Sequence, residues 1–274
     1  MSQNSLPALP QIRPHFGRPR RSFATFRSVA ALMLREMSTQ YGRNPGGYVW
    51  ALLEPLGSIV MMSLGFSLII REPPLGTSFL LFYATGTMPF GLYNAISSTT
   101  ARALVFSRPL LSYPAVTWAD AIIARFLLNS LTEIAVSVIL MTAIIIWSGG
   151  VSVLNLWPVL ESAGLAAMLG LGIGCMNATI GGLYPTWLMV WGIATRPLII
   201  ASGVIFLYTD LPRAAQEILW YNPLVHIIGL MRSGFYPMYQ ADYASPVYVM
   251  SISLPMIALG LLLLRRYHKD ILST

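Results

Sequence analysis

Six long apolar runs dominate the hydropathy pattern of the chain. They cover residues 48–70, 79–98, 121–147, 156–180, 187–208 and 247–264. Each run can cross a hydrocarbon core of about 30 Å as a helix, because a helix rises about 1.5 Å per residue. The pattern therefore predicts an all-α integral membrane protein with six transmembrane helices in a domain over residues 48–264.

An amphipathic segment precedes the first run. Over residues 22–47, apolar side chains recur at helical spacing and polar ones lie opposite, before a Pro45-Gly46-Gly47 break. The apolar side chains are Phe23, Phe26, Ala30, Met33, Leu34, Met37 and Tyr41. We predict an interface helix on the membrane surface, although a helix packed on a soluble core would show the same stripe. Residues 1–21, rich in proline and arginine, are predicted to be a disordered tail.

Two of the connections are too apolar for solvated linkers. In residues 101–120, the Arg108-Pro109 and Tyr113-Pro114 pairs predict a short helix bracketed by turns, which exposes Leu110, Leu111 and Tyr113. That helix either docks a soluble partner or rests on lipid. Residues 210–245 predict two short re-entrant helices that dip into the outer leaflet, with Asn222 and Pro223 at the turn between them.

Composition and charge agree with a membrane protein and orient it. Hydrophobic residues make up 55% of the chain and charged residues only 10%. The net charge of +7 comes from arginine, since Lys269 is the sole lysine, and arginines are concentrated before the first run. The positive-inside rule then predicts that both termini, including a tail at residues 265–274, are cytoplasmic. This position of the positive charge favours a lipid-facing surface over a nucleic-acid site. No cleavable signal sequence is expected ahead of the first run.

Ionisable residues within the runs are candidates for function. Glu133 and Arg196 fall at middle depth, where a charge is unfavourable unless it is paired or hydrated, so we expect them to face a hydrated path or each other. Arg125 is close enough to the cytoplasmic end to snorkel, and Glu161 close enough to the outer end to be wet.

Small and aromatic residues give two further predictions. Gly170 and Gly174 form a GxxxG pair that lets helices approach closely. Most aromatic residues fit interfacial belts, but Tyr83 and Trp191 lie deeper, where their rings could contact sugar rings. Cys175, the single cysteine, is expected to be a small buried residue.

The chemistry of an enzyme is missing from the pattern. A P-loop needs a glycine-rich turn ending in lysine, and Lys269 follows no such turn. The three histidines are scattered, and neither a Ser/His/Asp order nor a metal-spaced cluster is present. A protein without catalysis, cofactor or metal of its own is therefore predicted.

Two motifs carry a family resemblance. REMSTQYGRNPGGYVWALLEPL resembles the opening of ABC-2-type transport permeases, particularly the capsular polysaccharide export branch. YNPLVHIIGLMRSGFYPMY resembles the outer segment before the last span of these permeases. The resemblance implies a homodimer in the bacterial inner membrane. Each subunit would dock a cytoplasmic ATP-binding subunit that holds ATP and Mg, and a lipid-linked polysaccharide would pass between the two copies.

The resemblance also implies roles for particular residues. A coupling helix within residues 101–120 and the interface helix would contact the ATPase through Arg35, Glu36, Arg102, Arg108, Leu110 and Tyr113. The path would use Tyr83, Glu133, Trp191 and Arg196. An outer gate would contain Asn222, Pro223, His226 and Arg232. A periplasmic co-polymerase and an outer-membrane export protein are implied partners.

Other functions stay open on the sequence. The same fold could export O-antigen, teichoic acid or a small amphipathic compound. A proton-coupled carrier using Glu133 would transport without an ATPase, and a membrane-bound transferase would need acidic or histidine motifs at a face.

Overall fold

The computed structural model describes residues 24–40, 47, 49–111, 116–149 and 153–273, and these residues form helices and connecting turns without a strand. The helices are α1 (Ala24–Gln40), α2 (Val49–Ser67), α3 (Phe79–Ala101), α4 (Ala103–Leu111), α5 (Trp118–Trp147), α6 (Leu156–Leu183), α7 (Thr186–Ala194), α8 (Leu198–Ala201), α9 (Arg213–Leu219), α10 (Pro223–Phe235) and α11 (Pro246–Ser273). The predicted tail over residues 1–21 and the break at Pro45 lie outside the described residues.

Four helices are long and apolar enough to cross a membrane, namely α2, α5, α6 and α11. Helix α3 has 23 residues but carries polar side chains along its length, and it lies at the centre of the bundle against α2, α5, α6 and α10. Helix α11 continues through most of the predicted C-terminal tail, as far as Ser273.

The prediction of one continuous helix over the fifth apolar run was wrong. Helix α7 ends at Ala194, a turn follows over residues 195–197, and α8 is only four residues long. Pro197 has no backbone N–H to continue a helical ladder, and residues 202–207 then lead as non-helical backbone to a 3₁₀ turn at Tyr208–Asp210. Neither α7 nor α8 contains a buried residue.

Glycines on α6 bring three helices together. A Cβ atom on Gly170 would lie 2.9 Å from the carbonyl oxygen of Tyr93, and one on Gly174 would lie 2.7 Å from Thr100 Cβ, so both glycines face α3. On another side of the bundle, a Cβ on Gly260 of α11 would lie 2.6 Å from Cys175 Cβ. The predicted close approach at the GxxxG pair is confirmed, and Cys175 is buried as expected.

Helix α1 packs on the protein through a face that the predicted apolar stripe includes only in part, since Met33 of the stripe packs there. Val29 and Leu32 are buried with Ala124 of α5, and Leu110 of α4 packs against them. Phe26 and Leu34, which belong to the predicted stripe, are exposed. The helix thus has two apolar sides, one against the bundle and one available to a membrane surface.

Candidate functional site

A buried ion pair connects α1 to α5. Arg125 Nη2 lies 2.7 Å from Glu36 Oε1, and the two side chains are 6% and 13% exposed. Arg125 Nε also donates to Glu36 Oε2 at 3.2 Å, and Nη1 donates to the Thr99 carbonyl of α3 at 2.9 Å. The prediction that Arg125 snorkels was wrong, because its guanidinium is enclosed and fully engaged by neighbouring helices.

Helix α4 joins the same assembly. The Arg125 guanidinium carbon lies 4.5 Å from the centre of the Phe106 ring, and Phe106 is otherwise half exposed on α4. Burial raises the pKa of the Glu36 carboxyl, and the adjacent Arg125 guanidinium opposes that rise. We call Glu36, Thr99, Phe106 and Arg125 the Arg125 joint, since these residues link α1, α3, α4 and α5 at the Ala101 end of α3.

The outward side of α4 differs from the predicted one. Val105, Phe106 and Arg108 are exposed, whereas Leu110 and Leu111 are partly buried against neighbouring helices. Pro109 lies inside the helix instead of ending it. Tyr113 lies outside the described residues. Arg35 is exposed on α1 and lies close enough to Glu36 to interact with its charge.

A polar face runs along α3 beside α7. Asn94, Ser98 and Arg102 are exposed and follow one another at intervals of four residues, so they lie on one side of the helix. Trp191 and Thr195, from α7 and the turn after it, line the same cavity of about 100 Å³. This cavity also includes Asn177 of α6.

The four predicted path residues are not gathered in one place. Trp191 lines the α3–α7 cavity. Glu133 Oε2 would lie 4.0 Å from a Cβ on Gly91, one turn before Asn94 on α3. Arg196 is exposed in the turn after α7, and the described residues contain no ion pair between it and Glu133. Tyr83 is completely buried, with its ring against Phe82, so the structure does not bring it to the polar face.

The two short helices expected between the fifth and last runs are present as α9 and α10. Asn222 caps α10, because its Oδ1 accepts the Leu224 N–H at 3.0 Å, and Pro223 takes the first helical position. Asn222 Nδ2 donates to the Ala201 carbonyl at the end of α8, also at 3.0 Å.

Arg232, further along α10, binds the segment after α8 through a buried side chain. Its side chain is buried, Nη2 donates to the Val204 carbonyl at 2.9 Å, and Nη1 donates to the Phe206 carbonyl at 3.0 Å. The guanidinium carbon lies 4.2 Å from the centre of the Phe82 ring. In the described part of the chain, no carboxylate lies within ion-pair distance of Arg232.

His226 is held in one neutral tautomer by backbone groups. Its Nδ1 accepts the Ser245 N–H at 3.1 Å, so the proton must be on Nε2, which donates to the Trp220 carbonyl at 2.7 Å. Burial lowers the pKa of the imidazole, since the charged form loses hydration. We call Asn222, His226 and Arg232 the Arg232 lock, because they tie α10 to α9, residues 201–206 and the start of α11.

Comparison with known proteins decides the family. The sequence profile described as "ABC-2 type transporter" matches residues 27–236, a stretch that contains most of α1 and all of α2 to α10. The chain belongs to the ABC-2 type transporter family. It is therefore a membrane transport subunit.

Relatives of this ABC-2 permease cover nearly all of it. Polysialic acid transport protein KpsM of Escherichia coli is 31% identical over 90% of this chain and 96% of its own. Capsule polysaccharide export inner-membrane protein CtrC of Neisseria meningitidis serogroup A is 26% identical over 89% of this chain and 92% of its own. The capsule polysaccharide export inner-membrane protein BexB of Haemophilus influenzae is 24% identical, with the same coverage.

The sequence of this ABC-2 permease did not predict which polar residues contact each other across helices. The Glu36–Arg125 pair joins residues 89 positions apart, and no local spacing signals it. Asn177, whose Oδ1 accepts the Trp187 Nε1–H at 2.9 Å, was not singled out. Its position among the glycines of α6 was a usable signal, because an amide inside an apolar helix needs a partner.

Proposed function

We propose that this chain is the permease subunit of an ATP-driven exporter that moves capsule polysaccharide across the bacterial inner membrane. The observation that carries the proposal is the likeness to relatives named for polysialic acid transport or for capsule polysaccharide export, which extends over about nine-tenths of the chain. The apolar helices and the polar face of α3 support it, since a hydrated polymer needs polar contacts inside a membrane.

The proposed energy source is a separate ATP-binding subunit that carries ATP and Mg and docks on α4. Exposed apolar and cationic groups support this surface, namely Val105, Phe106 and Arg108, with Arg35 and Arg102 nearby. Tyr113 is proposed as a further docking residue. ATP binding would move α4 as a unit, and the Arg125 joint would carry that movement to α1, α3 and α5.

Two copies of the chain are proposed to enclose the path, with both termini in the cytoplasm. The polar face of α3, together with Glu133, Trp191 and Arg196, would face the polymer. Small residues pack α3, α6 and α11 into a compact bundle, so a wide passage is more easily built between subunits. The Arg232 lock would hold the outer helices that close the exit. A periplasmic co-polymerase and an outer-membrane export protein would continue the route.

Deletion of this chain, with the gene of the ATP-binding partner left intact, tests the function. Capsule polymer should accumulate in the cytoplasm and return to the surface on complementation. An unchanged surface coat would exclude capsule as the cargo and direct the search to O-antigen, teichoic acid or small amphipathic compounds.

A charge reversal tests the docking surface. Arg108→Glu should abolish export and uncouple ATP hydrolysis from it, because Arg108 is exposed on α4 and its replacement leaves the core untouched. Arg213→Glu, an exposed position on α9, is the matched control and should export normally. Normal coupling in the Arg108 variant would reject docking through this residue.

A further inference from the structure

We infer that the cavity between α3, α6 and α7 is a binding site for a carboxylated sugar unit of the polymer. The inference rests on the proposed export function and adds a chemical class of cargo. The cavity measures about 100 Å³, enough to hold several water molecules. This is room for a carboxylate and its neighbouring atoms, so the rest of a sugar ring would lie across the opening.

Hydrogen-bond donors for a carboxylate converge on this cavity. Asn177 lines the cavity and is 3% exposed; its Oδ1 already accepts from Trp187, and its Nδ2, which has no partner among the described residues, is itself enclosed. A buried donor left unsatisfied is unfavourable, so a ligand oxygen that reached this nitrogen through a small shift of the side chain would be stabilised. Arg102 is the only charged side chain that lines the cavity within the described residues, and it is exposed at the rim.

Acceptors for sugar hydroxyls are present as well. Ser98 Oγ donates its proton to the Ala95 carbonyl at 3.2 Å, and Thr195 Oγ1 donates to the Trp191 carbonyl at 2.8 Å. Each oxygen therefore keeps lone pairs that can accept a hydroxyl proton. The half-buried Trp191 ring adds an apolar face of the kind on which the C–H groups of a sugar can rest.

The surroundings favour an anion over a neutral sugar. Arg102 and Arg35 both lie close enough to Arg125 to interact with its charge, and Glu36 is occupied by Arg125. The net field at this end of α3 is thus positive. In the proposed orientation this end is the cytoplasmic mouth of the path, where the cargo first meets the permease.

Binding to the full transporter complex in nanodiscs tests the inference. The probes are short oligosaccharides released from the host's own capsule and the same oligosaccharides with their carboxyl groups reduced to alcohols. We expect the acidic form to bind about tenfold more tightly than the reduced form, the effect of one charge-assisted hydrogen bond. A capsule that contains no carboxylated sugar would overturn the inference.

Variants at the rim and floor of the cavity separate charge recognition from ring contact. Arg102→Gln should remove the preference for the acidic form, and Arg102→Lys should keep most of it, because only the charge is required. Trp191→Leu should weaken the binding of the acidic and the reduced oligosaccharides equally. Asn177→Leu should reduce the preference for the acidic form. Arg102 is exposed, so its variants should fold and still measure this preference if the Asn177 variant folds poorly.

The matched control is Arg265→Gln, which removes one exposed positive charge from α11 outside the cavity and should retain the preference. If Arg102→Gln still prefers the acidic form, the carboxylate site is rejected while capsule export stands. If the unaltered complex binds neither form and deletion leaves the capsule unchanged, the proposed function fails and the inference fails with it.

Discussion

Arg125 and Arg232 are both buried, near opposite ends of α3, yet their surroundings differ. Arg125 contacts a carboxylate on another helix, a backbone carbonyl and an aromatic ring. Arg232 contacts two backbone carbonyls and an aromatic ring, with no carboxylate among the described residues. The Arg125 guanidinium joins separate helices mainly through side chains, and the Arg232 guanidinium holds a non-helical segment by its backbone.

This difference indicates different mechanical roles. A side-chain ion pair between helices can open where the helices shift far enough to rehydrate both partners, and it can re-form when the helices return. Carbonyls of residues 204 and 206 have no neighbouring helical donors to replace Arg232. The Arg125 joint therefore suits a part that moves in each transport cycle, whereas the Arg232 lock suits a part that stays fixed.

The largest expected effect is at the lock. Arg232→Leu should lower the free energy of unfolding by about 3 kcal/mol or more, because it leaves a buried and a partly buried carbonyl unpaired and a void beside Phe82. Thermal unfolding of the purified permease in detergent measures this loss. Arg213→Leu, an exposed control on α9, should change stability by less than about 0.5 kcal/mol. Equal effects at the two positions would contradict the lock.

At the joint, Glu36→Gln should destabilise by about 2 kcal/mol, because Arg125 keeps its charge in a buried site with a weaker acceptor. The double variant Glu36→Leu with Arg125→Met should recover most of that stability, since no unpaired charge remains. Export should stay impaired in both variants. A double variant that is stable and also exports normally would show that the joint transmits nothing.

Acid should weaken the lock through His226. Its folded pKa is lowered, so the stability is fully present above the unfolded pKa of about 6.5 and is lost as the pH falls below it, by at most about 1.4 kcal/mol per pH unit. His226→Gln should flatten this slope, because glutamine offers a donor and an acceptor without titrating. Unfolding measured across the acid range compares the two. A parallel slope in the variant would assign the effect to other groups.

The smallest effect concerns the contact between α4 and Arg125. Phe106→Leu should destabilise by about 0.5–1 kcal/mol, because it keeps apolar contact and removes only the aromatic face beneath the guanidinium. Phe26→Leu, at an exposed position of α1, is the control and should be neutral. If Phe106→Leu strongly reduces coupled ATP hydrolysis while stability falls only by this small amount, Phe106 also contacts the ATP-binding partner.

Features written into local sequence were predictable. Asn222-Pro223 is a cap followed by a first-turn proline, and it marked the start of α10 correctly. Gly170 and Gly174 marked the α3–α6 contact. Proline was a poorer guide elsewhere, because α2, α3 and α11 continue through internal prolines whereas the fifth run stops before Pro197.

Contacts between distant segments were not predictable. Whether a helix tolerates a proline depends on packing against its neighbours, and α7 has no buried residue to hold it. The partners of Arg125 and Arg232 are likewise set by how whole helices cross. A single sequence shows that a buried charge needs a partner, but not which residue supplies it.

The burial of Cys175 has a practical consequence for watching this transporter move. The only thiol of the chain is shielded between α6 and α11, so maleimide dyes and spin labels should leave the native protein unmodified. A reporter can then be introduced without first removing a native cysteine. Gly65 on α2 is a suitable position, because an added side chain meets no atom within 4 Å and the residue does not line the α3–α7 cavity. Probes there on two copies could follow the distance between subunits during ATP turnover.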